Sequence, residues 1–125
     1  MKQFLSVHDA GDVAALVAEA RAHKADPFAF ETLGRRRTIG LVFFNSSLRT
    51  RLSTQRAAQN LGMQVIVLNT GQDAWQLEFA DGTVMDGGSA EHIREAAAVL
   101  GEYCDIIGVR AFPSLKDREA DEREE

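Results

Sequence analysis

A single cysteine, Cys104, stands among the 125 residues of this chain. An internal disulfide is therefore excluded. The thiol's place just ahead of an apolar run predicts a buried, inert side chain. With only three histidines, widely spread, no metal centre is expected. No apolar run approaches the ~20 residues of a membrane span. The opening stretch Met1–Asp9 has no long apolar core before its first acid, unlike a secretory signal; cytoplasm is the expected compartment. A basic surplus is missing too: 14 Lys and Arg stand against 19 Asp and Glu, a net charge of −5, which argues against a broad nucleic-acid surface. Much of the acid lies between Lys116 and Glu125, where only Ala120 is uncharged, and this end reads as a solvated helix or loop. There is no Gly-x-x-x-x-Gly-Lys loop, no Gly-x-Gly-x-x-Gly, no internal repeat, and no low-complexity segment outside the charged end.

Apolar residues make up 45% and charged residues 26%, the balance of one globular domain able to bury a core. Val13, Leu16, Val17 and Ala20 follow a helical stripe, predicting a helix over residues 10–24, capped by Asp9 or Asp12 and stopped by Asp26-Pro27. Arg35, Arg36 and Arg37 lack interleaved aromatics and read as a solvated turn. The run from Thr38 to Phe44 suits a strand buried on both faces. A second helix is expected from Ser47 to Leu61, with Leu52, Ala57, Ala58 and Leu61 on its apolar side and Gly62 as its stop. Residues 64–68 form a second buried strand, and 69–88 a long polar loop. Ser89 caps a third helix through Tyr103, with Ile93, Ala96, Ala97 and Leu100 as its stripe and Glu91 suited to its N-terminus. Residues 105–109 complete the set as a third strand. Helix and strand alternate, the pattern of an α/β fold: a parallel sheet with crossover helices. Right-handed crossovers bring the strand C-termini to one edge, where such sheets bind ligands.

The chemistry gathers after the first strand, at Asn45-Ser46-Ser47-Leu48-Arg49-Thr50-Arg51. A strand-to-helix turn presents free backbone N–H groups, and the helix dipole favours an anion there. Ser47 and Thr50 add hydroxyls, and Arg49 a planar fork suited to two phosphate oxygens. Two arginines in a first turn oppose the dipole by roughly 0.3–1 kcal/mol each, a sign that a bound anion would reverse. The plainer alternative is a serine cap followed by solvated arginines. Arg110, directly after the third strand, falls on the same edge; it either reaches a phosphate or carbonyl oxygen or is a solvated loop residue. Trp75, the single tryptophan, must cover something, either its own domain or a neighbouring subunit.

The stretch Phe43-Phe44-Asn45-Ser46-Ser47-Leu48-Arg49-Thr50-Arg51 resembles the carbamoyl-phosphate signature of aspartate and ornithine carbamoyltransferases, usually Ser-Thr-Arg-Thr-Arg. Leu48 in place of the first Thr is similar to the branch acting on N-acylated ornithine, the N-acetylornithine and N-succinylornithine carbamoyltransferases. Asp73-Ala74-Trp75, the run from Gly82 to Gly87, Glu91-His92-Ile93 and the run from Asp105 to Phe112 resemble that branch too. The resemblance covers nearly the whole chain and implies the carbamoyl-phosphate-binding domain of the carbamoyltransferase fold. It implies that Ser47, Leu48 (through its N–H), Arg49 and Thr50 bind the phosphate of carbamoyl phosphate, that Arg110 contacts the carbamoyl group or the phosphate, and that Arg51 supports the turn. Trp75 would enter the active site of an adjacent subunit in a homotrimer. Residue 90 would lie near the acyl pocket, and the small neutral Ala90 tilts the substrate towards N-succinylornithine, with N-acetylornithine next. No cofactor or metal is implied.

Family members are much longer. The ornithine-binding domain and the His-Pro segment that polarises the carbamoyl carbonyl are absent from these 125 residues, which reads as a truncated chain not expected to turn over alone. Two rivals stand beside the acylornithine reading. Plain ornithine carbamoyltransferase is disfavoured by Leu48 and the Trp75 loop. A non-catalytic phosphate-binding or oligomerising fragment would bind carbamoyl phosphate without forming product.

Overall fold

The computed structural model describes residues 4–70, 76–89 and 91–112. Three strands, β1 (Thr38–Phe43), β2 (Gln64–Asn69) and β5 (Ile106–Arg110), form a sheet in the order β2-β1-β5. Both pairings of β1 are parallel, running from Thr38 beside Gln64 to Phe43 beside Asn69, and from Ile39 beside Ile106 to Phe43 beside Arg110. All three C-terminal ends therefore meet on one edge, as the alternation of elements predicts.

The central position of β1 decides where the core sits. Leu41, Val42 and Phe43 are 3%, 4% and 5% exposed, and each such burial stabilises the fold by roughly 1.5–3 kcal/mol. The expectation that β2 is equally buried fails. As an edge strand it alternates between half-buried and exposed residues, and Ile66 is exposed. β5 is likewise exposed at Ile106, Ile107 and Val109. Cys104 is buried, as expected of a free inert thiol. Its sulfur explains Gly40, since a β-carbon at residue 40 would come within 2.8 Å of Sγ.

Among the described residues, one α-helix precedes the first strand and two lie between successive strands. α1 (Val13–Ala25) is capped by Asp12, whose Oδ1 accepts from the N–H groups of Ala14 and Ala15. Asp9 instead closes a short 3-10 turn at Val7–Ala10, accepting from the N–H groups of Leu5 and Ser6. The stripe of α1 is exposed at Val13, Leu16 and Val17; no described residue covers it. α2 (Leu48–Asn60) buries Ala58, while Leu52, expected on its inner side, is exposed. Its end is a Schellman motif: Met63 N–H donates to the Ala58 carbonyl and Gly62 N–H to that of Gln59. Gly62 takes φ +79, and a β-carbon there would stand 2.0 Å from the Glu31 carbonyl oxygen.

α3 (Ile93–Tyr103) starts later than expected, and Ser89 is not its cap. His92 is, its Nδ1 accepting from Arg94 N–H at 3.2 Å. The cause is tertiary. Glu91 and His92 form a short strand, β4, pairing in parallel with β3 (Leu77–Glu78) in a second sheet. Part of the expected polar loop 69–88 is thereby a strand. No helix among the described residues is long and apolar enough to cross a membrane.

The strand beginnings are clamped as well. Asp105 N–H donates to the Thr38 carbonyl at 2.9 Å, Thr38 N–H donates back to Asp105 Oδ2 at 2.8 Å, and the Arg37 guanidinium donates to Asp105 Oδ1. The Thr38 N–H, and after it the Arg37 guanidinium, hold the Asp105 carboxyl below its ordinary value. A carboxylate depressed in the folded state contributes stability that is full above the unfolded pKa of ~3.9 and is lost as pH falls through the folded value. The stability gap between wild type and Asp105→Asn should hold steady from neutral pH down to about pH 4 and narrow below it, as read by urea unfolding across pH. Gly62→Ala should destabilise the same protein by more than about 1 kcal/mol, because residue 62 needs a left-handed backbone and the space beside Glu31.

Candidate functional site

The chain leaves β1 at Phe44 and turns through Asn45 and Ser46 into α2. Ser47 is the N-cap, with extended backbone (φ −155) and Oγ accepting from Thr50 N–H at 3.3 Å. The N–H groups of Leu48 and Arg49, in the first turn, have no carbonyl to reach within the helix. No acid occupies this turn. Neither Arg49 nor Arg51 forms a salt bridge with a carboxylate among the described residues. The local field is therefore positive from the dipole and from the side chains alike.

The strand ends are tied together around this turn. Phe44 N–H donates to the Arg110 carbonyl at 2.9 Å, and Thr70 N–H donates to the Phe43 carbonyl at 3.1 Å. Beside them opens a cleft of about 250 Å³, lined by Phe43, Phe44, Ser46, Ser47, Leu48, Arg51, Asn69 and Thr70. Arg110 is the last residue of β5 rather than the first of a loop, because its pairing with Phe43 extends the ladder. Its Nη1 donates to Thr50 Oγ1 at 2.6 Å, and its guanidinium carbon lies 4.4 Å from the centre of the Phe112 ring. Arg110 Nε is buried without a hydrogen-bond partner among the described residues. An arginine can only donate, so Thr50 Oγ1 is the acceptor, and the hydroxyl's own proton stays available to a ligand.

The sequence-predicted residues thus divide. Ser47 and Leu48 line the cleft. Thr50 and Arg110 are bonded to each other across 60 positions of sequence, outside the lining. Arg49 is exposed and does not line the cleft, while Arg51 does. Trp75 and Ala90 lie outside the described residues. Sequence reasoning missed Asn45, whose Oδ1 accepts from Phe112 N–H at 2.7 Å, and Phe112 itself. Both stood inside the motifs that carry the family resemblance, yet neither was given a role. It also missed Asn69 and Thr70, contributed from the exit of β2.

The family model for the aspartate/ornithine carbamoyltransferase carbamoyl-phosphate-binding domain matches residues 2–124. The chain belongs to this carbamoyltransferase family. It is 54% identical over 124 residues to N-succinylornithine carbamoyltransferase of Bacteroides fragilis, covering 99% of this chain and 39% of that protein. With N-acetylornithine carbamoyltransferase of Xanthomonas campestris pv. campestris it shares 47% identity over 125 residues, covering 95% of this chain and 36% of that protein. Two crystal structures of N-acetyl-L-ornithine transcarbamylase match it with a TM-score of 0.77 and 46% identity, over 99% of this chain and 37% of theirs. One is complexed with acetylcitrulline; the other, a substituted form, with carbamyl phosphate and N-succinyl-L-norvaline. The chain spans well under half the length of these relatives. Its parallel sheet with helices has the architecture of the family's carbamoyl-phosphate-binding domain.

The Thr50–Arg110 bond can be tested without a substrate. Thr50→Val should lower the stability of the protein by about 1.5 kcal/mol, as a hydrogen bond to a charged group is lost. Thr50→Ser, which keeps the acceptor, should lose clearly less in the same denaturant titration.

Proposed function

We propose that the full-length protein transfers the carbamoyl group of carbamoyl phosphate to the δ-amine of an N-acylated ornithine, giving an N-acylcitrulline and phosphate on a route to arginine. One observation carries the reading: the first turn of α2 is capped by Ser47, carries two arginines and no acid, and adjoins Arg110 through Thr50. Such a turn is electrostatically incomplete until an anion docks.

In this reading Ser47, the Leu48 N–H, Arg49 and Thr50 hold the phosphate. Arg110 supports the carbamoyl oxygen or a phosphate oxygen, and Arg51 supports the turn from the cleft wall. The attacking amine must be neutral. Its lone pair forms a bond to the carbamoyl carbon and charge builds on the carbonyl oxygen. The carbon–oxygen bond to phosphate then breaks, and the proton the amine gives up is taken by the departing phosphate. Donors held at the departing phosphate favour that last cleavage. Trp75 would reach a neighbouring subunit's site in a cytoplasmic homotrimer. Ala90, small and neutral, leaves room for the second carboxylate of a succinyl group, so N-succinylornithine is favoured and N-acetylornithine is the alternative. The similarity to enzymes of both names supports the shared acylornithine class.

Turnover of the full-length protein with N-succinylornithine, N-acetylornithine and ornithine, read as citrulline-group formation, tests the assignment. The order of kcat/KM should follow that sequence. A protein that titrates carbamoyl phosphate but releases no product would be a binder instead. Carbamoylation of N-acetylornithine with N-succinylornithine ignored would overturn the succinyl preference. Arg49→Ala should cost roughly 3–4 kcal/mol in kcat/KM, the scale of one transition-state donor, and an unchanged kcat/KM would refute its role.

A further inference from the structure

We propose that Asn45 and Phe112 are positioning residues that aim the Arg110 guanidinium at the ligand, a role that rests on the carbamoyl-phosphate reading of this site. The ladder between β1 and β5 formally ends at Phe43 and Arg110. Two further bonds extend it. Phe44 N–H donates to the Arg110 carbonyl at 2.9 Å, and Asn45 Oδ1 accepts from Phe112 N–H at 2.7 Å. The asparagine side chain thus does the work of one more strand carbonyl while its own backbone is already turning towards α2. Arg110–Phe112 is held at both ends by Phe44–Asn45.

That tether has a consequence for the guanidinium. It brings the Phe112 ring to 4.4 Å from the guanidinium carbon, inside the range of a cation–π contact. Thr50 Oγ1 takes Nη1 at 2.6 Å. A face contact and an in-plane hydrogen bond together restrict both the tilt and the rotation of the guanidinium plane. The N–H groups that remain free then point in a set direction before any ligand arrives. Neither a solvated loop arginine nor a purely structural turn requires this pair of restraints. Asn45 is exposed and Phe112 is 59% exposed, so neither is explained as core packing. A neutral amide also supplies the acceptor without bringing a negative charge to a site that attracts an anion.

The experiment uses the full-length enzyme. Asn45→Ala and Phe112→Leu should each lower kcat/KM for carbamoyl phosphate roughly tenfold, a moderate loss for a displaced donor. Phe112→Tyr, which keeps the ring, should stay near wild type. In an Arg110→Gln background neither Asn45→Ala nor Phe112→Leu should cost anything more, because both act through Arg110. Full additive losses in that background, or a Phe112→Leu enzyme equal to wild type, would overturn the proposal. A second readout needs no substrate. The Arg110 Nε–H proton resonance, shielded by the ring, should move downfield in Phe112→Leu and in the same direction in Asn45→Ala. A resonance unmoved in both variants would overturn the positioning role even if carbamoyl transfer is found. A shifted resonance in an enzyme without turnover would sustain the positioning of Arg110 and count against the carbamoyl-transfer reading alone.

Discussion

Hydrogen bonding of β1 along both of its edges is the constraint on which the other features depend. A central parallel strand brings its exit and those of its two neighbours to the same edge, and here those exits carry the turn into α2, Thr70, and Arg110 with Phe112. The cost of holding a buried parallel strand is that every neighbouring peptide group must find a partner. The chain meets that demand past the formal strand ends, through Phe44, Thr70 and Asn45. The same bonds that finish the sheet therefore shape the site. At the opposite edge, the exchange between Thr38 and Asp105 sets the register from which β5 delivers Arg110 beside Phe43.

Local energetics and global function pull in opposite directions at the start of α2. Helices favour acids in the first turn, and this one carries Arg49 and Arg51 with no acid. Each arginine weakens the empty helix by a few tenths to about one kcal/mol. Ser47 offsets part of that through its bond to Thr50 N–H. A feature unfavourable in the free protein and favourable with a dianion bound is what a site needs if the ligand is to complete its charge balance.

Much of this was legible in the sequence. Strand boundaries fell within one residue of those observed, because continuous β-branched and aliphatic runs between turn residues have few alternatives. Gly62 was readable as a helix stop because a left-handed residue is what a Schellman motif needs. What escaped depended on tertiary pairing. Ser89 has the chemistry of a cap, yet Glu91 and His92 are drawn into pairing with Leu77 and Glu78, and the helix begins after them. The stripe on α1 has the right period, but period does not say what packs against it, and Val13, Leu16 and Val17 stay exposed. In the candidate site, the serine-capped, arginine-bearing turn was visible as a local motif. The bond between Thr50 and Arg110 was not, since only the register of β5 against β1 brings them together.

That bond also fixes which way the site's hydroxyls face. Arg110 has no acceptor to offer, so Thr50 Oγ1 accepts from it. Ser47 Oγ is likewise engaged as an acceptor, by Thr50 N–H. Each hydroxyl spends acceptor capacity on the protein and keeps its single proton for whatever lies outside. The Leu48 and Arg49 N–H groups and the three arginine side chains are donors by nature. The turn thus offers mostly donors, each hydroxyl keeping one further lone pair, and so discriminates by chemistry as well as by shape. A neutral amide or alcohol alone would match these donors less fully, whereas the phosphate group of a phosphorylated ligand brings only acceptors and charge of the opposite sign. On the proposed reading, a preference for a phosphorylated ligand would follow from hydrogen-bond direction as well as from net charge.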